Sequence, residues 1–128
     1  MDYQTVSKES FNHRETNDCT VKALAICCDI AYPEALSIMA ENGRRKGRGM
    51  FIGQWERGFK QAGFKLVRDP EITAKTTRTV VSQLNPNRTY VVVSTRHVSA
   101  VVNGKMEDWA TGRLKRVRAV YEVISNAN

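Results

Sequence analysis

The sequence predicts an α+β fold in which helices come first and an antiparallel sheet follows. Residues 19–28 are mostly apolar, include helix formers such as Ala23 and Leu24, and contain no Gly or Pro. From Thr89 onwards the chain is instead rich in β-branched residues, interrupted by short turn signals. Because helices followed by strands are typical of α+β domains, we expect a helical layer packed on a sheet.

The first strongly predicted helix begins with Cys19 and is apolar on most of its sides. A helix of this kind is usually buried, so we place it at the centre of the fold. Asn17 and Asp18 are preferred helix-capping residues, which puts the cysteine in the first turn. There the unsatisfied N–H groups and the positive end of the helix dipole favour a thiolate.

Other helical elements follow from local patterns on either side of this helix. Residues 1–16 are polar and lack clear periodicity, so we expect a lead-in loop with at most a short strand. Apolar stripes predict helices at 33–42, where Pro33 suits the first turn, and at 52–62. Residues 80–84 should add one or two helical turns.

The second half of the chain carries most of the strand signals. Asn103-Gly104 is a two-residue turn favoured in hairpins. Strands are predicted at 64–67, 89–94, 97–102, 105–109 and 117–124. In the last strand the residues expected to share one side are Val117, Ala119, Tyr121 and Val123, and residues 125–128 should fray.

Length and composition indicate one domain over residues 1–128, large enough for a hydrophobic core. No apolar run approaches the ~20 residues of a membrane span and no secretory signal is visible, so we expect a cytoplasmic protein without membrane contact. The three cysteines form no CxxC pair and the histidines no cluster, so we expect no metal and no cofactor. Cys27 and Cys28 should pack in the core. The oligomeric state stays open.

The net charge of +7 concentrates in two basic segments, residues 44–48 and 113–118. Such segments attract acidic proteins, nucleic acid or anionic surfaces, or form only a solvated surface. The first segment has no P-loop pattern, and the chain has no RNP-type aromatic motif or zinc finger, so nucleic acid is the less favoured partner. The candidate substrate-binding residues are Arg44, Arg45, Lys46, Arg48 and Trp109, of which the basic ones favour an acidic peptide or protein.

Three residues of the chain form a candidate catalytic set. Cys19 begins the central helix, and His97 begins a strand of the sheet that should pack on that helix. If Asn103-Gly104 forms the hairpin turn, residue 99 opposes Asp108, and a bulge or fraying of one to two residues brings Asp108 diagonally beside His97. A carboxylate there would orient the imidazole, which in turn would take the thiol proton.

Two blocks of the sequence resemble the papain-like cysteine peptidases. Residues 17–26 resemble the family's nucleophile helix, and they are closest to the D-C-G-x-x-A-L-A motif of the bacteriocin-leader peptidase domains attached to ABC exporters. Residues 97–108 resemble the second block, which is a His-led strand, a turn and an Asp. The resemblance implies a papain-like fold, with a nucleophile helix packed on a C-terminal antiparallel sheet. Small members of this kind occur in phages and bacteria.

The resemblance also implies the roles of the site residues. Cys19 would be the nucleophile, His97 the general base and Asp108 the orienting residue. The oxyanion would be held by the Cys19 backbone N–H and an upstream side chain. Relatives usually carry Gln six residues before the cysteine, where this chain has His13, and Asn17 is a second oxyanion candidate.

By this resemblance the leading function is a cysteine hydrolase that cleaves a peptide or isopeptide bond through a thioester acyl-enzyme. A deamidase or an acyltransferase could use the same three residues. The alternative is a catalytically inactive protein on the same fold, whose basic surface engages nucleic acid or an acidic host protein. A third reading gives Cys19 only a structural role.

Overall fold

The chain folds as a layer of helices against one antiparallel sheet, which confirms the predicted α+β class. The computed structural model describes residues 1–126. The helices are α1 (Tyr3–Asn12), α2 (Cys19–Cys28), α3 (Tyr32–Glu41) and α4 (Ile52–Gln61), and a 3-10 turn spans Val80–Gln83. The strands are β1 (Phe64–Arg68), β2 (Tyr90–Ser94), β3 (His97–Val102), β4 (Lys105–Glu107) and β5 (Val117–Ser125).

The sheet has the strand order β1-β5-β2-β3-β4, and all neighbouring strands are antiparallel. The β3–β4 hairpin pairs Val102 with Lys105 across the predicted Asn103-Gly104 turn, so that turn and its register are confirmed. Both turn residues have positive φ, 54° at Asn103 and 76° at Gly104, as this type of hairpin turn requires. The register fixes which residues of β4 face β3.

Both faces of the sheet are covered. On the helical face, α2 and α4 pack against residues that include Val91, Val98 and Ala100. The opposite face carries Val92 and Val101 and packs against the 3-10 turn and its flanking segment. Because side chains alternate along each strand, neighbouring residues of β2 enter different clusters. The central strands are therefore apolar on both sides, which explains the run of valines.

Helix α2 lies in the middle of the helical layer, and most of its ten residues are buried. Cys28 belongs to the core cluster and Cys27 packs against it, as predicted. Burial raises the pKa of the Cys28 thiol to about 12, and burial also raises the pKa of Cys27 well above its ordinary value. Both thiols are therefore protonated and unreactive at neutral pH. Among the described helices, none is long and apolar enough to cross a membrane.

Residues 3–12 form helix α1, so the predicted lead-in loop is wrong over this range. Asp2 caps the helix by accepting a hydrogen bond from the Thr5 N–H at 2.8 Å, and Val6 is fully buried. The Tyr3 N–H donates to Oε1 of Glu107 at 3.0 Å, which ties α1 to β4. A cap and tertiary packing thus stabilise a helix that polar composition alone does not predict.

A β-bulge at Arg118 divides β5 between the two faces of the sheet. The register of β5 against β2 shifts between Ala119 and Val117, which leaves Arg118 as the extra residue. Tyr121 packs on the helical face, whereas Val117 packs in the opposite cluster. The prediction that these residues share one side is therefore wrong at Val117, because the extra residue reverses the alternation.

Strand β5 continues further than predicted. Ser125 pairs with Phe64 of β1, and the Asn126 N–H donates to the Gly63 carbonyl at 2.8 Å. The expected fraying is therefore wrong for these two positions. Residues 127 and 128, which the same prediction included, lie outside the described residues.

Candidate active site

The start of α2 and the start of β3 meet at a cavity of about 340 Å³. The three candidate catalytic residues, Cys19, His97 and Asp108, all line it. The cysteine comes from the helical layer, whereas the histidine and aspartate come from the β3–β4 hairpin. The other lining residues are Asn17, Asp18, Lys22, Gly49, Arg96 and Trp109.

His97 and Asp108 form a buried hydrogen bond. Nε2 of His97 lies 2.6 Å from Oδ2 of Asp108, and the residues are 8% and 7% exposed. Strand β4 ends at Glu107, so Asp108 leaves the ladder and turns towards His97, two places from its register partner. The Ala110 N–H donates to the same carboxylate oxygen at 2.8 Å, which holds Asp108 in this orientation. The Asp108 carboxylate thereby fixes the orientation of the imidazole through Nε2.

His97 also interacts with Cys19. Burial acts to lower the pKa of His97, but hydrogen bonds to Asp108 and to Cys19 outweigh it and raise this pKa to about 9. Because Asp108 takes Nε2, the ring nitrogen available to the sulfur is Nδ1. The imidazole of His97 thus lies between the Asp108 carboxylate and the sulfur of Cys19, which is the order of groups that nucleophile–base–acid sites require.

Trp109 lies against the His97 ring, at 4.6 Å between ring centroids and tilted by 45°. The Lys115 ammonium lies 5.5 Å from the centroid of the Trp109 ring. Trp109 is 47% exposed, so one part of it covers the histidine and another faces the cleft and solvent. The sequence predicted it only as a substrate-binding residue, but its indole also shields the His97–Asp108 pair from water.

Asp18 is the most highly connected site residue that sequence reasoning missed. It is buried and accepts hydrogen bonds from Ser10 Oγ at 2.6 Å and Tyr32 Oη at 2.7 Å, and Lys22 Nζ lies 3.5 Å away. Burial acts to raise the pKa of Asp18, but these hydrogen bonds and the Lys22 charge lower it below its ordinary value. Asp18 does not cap α2 with its side chain. It anchors the backbone immediately before Cys19 to α1 and α3.

The two oxyanion candidates occupy different surroundings. Asn17 lines the cavity, and its φ of 53° turns the chain into α2. Its Nδ2 donates to the Gly47 carbonyl at 3.0 Å, which leaves one amide N–H free for another acceptor. His13 does not line the cavity, because it ends α1 and its Nδ1 donates to the Glu9 carbonyl at 2.8 Å. The structure therefore brings Asn17 to Cys19 but not His13.

The basic 44–48 loop is only partly free to bind a substrate. Arg44 is buried, and its guanidinium contacts Glu15 Oε1 and the Thr16 carbonyl, each at 3.0 Å. Lys46 donates to the carbonyl of residue 13 at 3.2 Å. These contacts hold the loop against the segment before Cys19, so Arg44 is a structural cation rather than a substrate ligand. Arg45 and Arg48 remain exposed.

Arg96 and Lys22 are cationic lining residues that the sequence did not indicate as part of the site. Lys22 lies four residues after Asp18 on α2, a spacing that predicts their ion pair once Asp18 is known to matter. Arg96 occupies the β2–β3 turn with a φ of 56°, where Gly or Asn is usual. Its proximity to Cys19 depends on the packing of the hairpin against α2, which no local pattern reports.

A scan against protein-family models and searches of curated proteins and solved structures found no significant match to this chain. Within residues 1–126, no group of three or more His, Cys, Asp or Glu side chains is placed to hold a metal ion. The chain is an α+β domain with a cleft that is lined by a cysteine, a histidine and an aspartate.

Proposed function

We propose that the chain is a papain-like cysteine hydrolase, acting on a peptide or isopeptide bond. The observation that carries the proposal is the connected series Cys19–His97–Asp108 in one cleft, with the imidazole between the cysteine sulfur and the carboxylate. In this series Cys19 is the nucleophile and His97 is the general base and acid. Asp108 orients the imidazole and stabilises its protonated form.

The first half of the reaction forms the acyl-enzyme. The Cys19 thiolate attacks the carbonyl carbon and the carbonyl oxygen becomes an oxyanion. As the tetrahedral intermediate collapses, the C–N bond breaks, and the His97 imidazolium gives its proton to the leaving nitrogen. The products are a free amine and a thioester on Cys19, with His97 now neutral.

The second half hydrolyses the thioester. Neutral His97 takes a proton from a water molecule, whose oxygen attacks the thioester carbonyl. The C–S bond then breaks, which releases a carboxylic acid and restores the thiolate beside the imidazolium. Asp108 stays ionised throughout and keeps the ring in place, which is the role of the acid in a triad.

The oxyanion needs donors next to the sulfur. The backbone N–H of Cys19 is the first of α2, so it has no partner within the helix. The remaining amide N–H of Asn17, two residues before Cys19, is a second donor in the cleft. We take Asn17, rather than His13, as the side chain that assists the N–H of Cys19.

The direct test measures the rate at which iodoacetamide alkylates Cys19 as a function of pH, with the site identified by mass spectrometry. We expect fast alkylation that persists below pH ~7 and is lost in His97→Gln. His13→Gln is the matched control, because it removes the other histidine without touching the cleft. A rate that follows an ordinary thiol near pH ~8.5 and ignores His97 rejects the proposal and favours a non-catalytic binding protein.

A further inference from the structure

The cleft continues past His97 into an apolar groove. This groove has a volume of about 470 Å³ and shares Cys19, Gly49, Arg96 and His97 with the catalytic cavity. Its walls are mainly apolar. They are formed by helix α4, by the segment directly before it and by the β2–β3 hairpin. The apolar wall residues include Met50, Phe51, Trp55, Val93 and Val98.

The groove is open at a hydrophobic rim. Phe51 is 81% exposed, although it is a large aromatic residue, and it lies directly before α4. Trp55, one turn further on, is buried and forms the floor. An exposed aromatic beside a buried one, in a groove of this size, is suited to an apolar side chain of a ligand.

Arg96 stands where the groove and the catalytic cavity join. Its side chain is exposed and has no hydrogen bond or ion pair among residues 1–126. By contrast, Lys22 in the same cavity is paired with Asp18. Arg96 also keeps a positive φ that favours Gly or Asn, so the turn itself does not explain an arginine.

We propose that the cleft selects a peptide in which an acidic side chain, bound by Arg96, lies beside an apolar side chain held in the groove. This inference rests on the proposed hydrolase function and adds the class of substrate. The sequence predicted that the basic 44–48 loop binds an acidic substrate. We assign this role instead to Arg96 in the β2–β3 turn. The acidic groups of the cleft, Asp18 and Asp108, already have partners and do not compete for Arg96.

The test uses tripeptidyl chloromethyl ketones that alkylate Cys19. The sulfur forms a thioether with the methylene carbon, chloride leaves, and the thiol proton passes to His97 or to solvent. The probes carry one Leu and either Asp, Asn or Lys, and each residue is moved through the three positions. The measured quantity is the ratio of the second-order rate constants of two probes on the same protein.

We expect the best Asp probe to react at least about fivefold faster than its Lys and Asn counterparts. The preference should fall below about twofold in Arg96→Asn, a change that the left-handed turn accepts without strain. Arg118→Asn removes the same charge from an exposed position outside the cleft and should leave the ratio unchanged. Replacing the probe's Leu by Ser should slow the reaction about tenfold.

Three results would overturn the inference. The first is a preference for the Asp probe smaller than fivefold, and the second is a preference that persists in Arg96→Asn. The third is a reaction rate that does not change when the probe's Leu is replaced by Ser. A ratio of two probes at one thiol cancels the intrinsic reactivity of that thiol. The test therefore judges peptide recognition even if the iodoacetamide experiment rejects an activated cysteine. Conversely, fast iodoacetamide alkylation with no Asp preference retains the hydrolase and rejects its proposed substrate.

Discussion

Nε2 of His97 and Oδ2 of Asp108 lie 2.6 Å apart, although the two residues lie 11 positions apart on opposite sides of a hairpin turn. The distance depends on the end of β4 at Glu107, after which Asp108 leaves the ladder. A strand one residue longer would keep Asp108 opposite residue 99. The length of a three-residue strand thus decides whether the imidazole has an acidic partner.

Asp108→Asn should lower the pKa of His97. The change removes the carboxylate charge while keeping the side-chain shape, so the imidazolium loses its main stabilising partner. We expect the titration midpoint, observed by NMR of the imidazole ring, to move from about 9 towards 6.5 by at least about one unit. Glu56→Gln, at an exposed position on α4, is the control. An unmoved midpoint in Asp108→Asn would contradict this account of the site.

The stability of the protein should fall between about pH 6.5 and 9 because of His97. Its pKa is raised on folding, so the imidazolium stabilises the folded state fully below the unfolded pKa, and this contribution is lost as pH rises through about 9. We expect the free energy of unfolding, from urea titrations, to drop by on the order of 2–3 kcal/mol across this window relative to His97→Gln. Parallel curves for the two proteins would show that no such contribution exists.

Arg44→Met should destabilise the fold strongly. It leaves the buried Glu15 carboxylate without its guanidinium partner and frees the loop from the segment before Cys19. Breaking a buried ion pair from one side costs about 3–5 kcal/mol. Arg45→Met, at the neighbouring exposed position, should change stability by less than about 0.5 kcal/mol. Equal urea midpoints for the two variants would mean that Arg44 is not a structural cation.

Tyr32→Phe should weaken the contact that anchors the start of helix α2. The change removes the hydroxyl that donates to Asp18 at 2.7 Å and leaves Ser10 and Lys22 as its partners. Loss of a hydrogen bond to a buried charge costs about 1.5–3 kcal/mol, to be measured by urea unfolding. Tyr121→Phe removes a hydroxyl from a partly buried tyrosine of the sheet and should cost less. The reverse order of the two losses would refute the role given to Asp18.

The sequence predicted well those features that depend on neighbouring residues. The Asn103-Gly104 turn set the register of β3 and β4, and the apolar run after Cys19 predicted the buried α2. It did not predict α1, whose stability comes from a cap and from packing of Val6 rather than from a long apolar stripe. The bulge at Arg118 also has no local signal, because it results from how β5 meets β2.

The structural roles that the sequence did not predict depend on residues far apart in the chain. From the sequence, Arg44 is predicted to be an exposed cation of a loop. The structure pairs it with Glu15, which lies 29 positions earlier. From the sequence, Asp18 is predicted to be a helix cap. In the structure its carboxylate accepts hydrogen bonds from Tyr32 and Ser10 instead. In both cases the residue types favour several environments, and only tertiary packing selects one.

Strand β5 follows all the other strands in the sequence, yet it lies between β1 and β2 in the sheet. The β2–β3–β4 part, which carries His97 and Asp108, therefore joins β1 only through β5. Because Cys19 belongs to the helical layer and His97 to the sheet, the two side chains meet only when helices and sheet are docked together. During synthesis Cys19 emerges long before His97, so the proposed pair of thiol and imidazole can form only after the β2–β3 hairpin has docked on α2. If the proposed function holds, folding itself is then the step that activates the nucleophile.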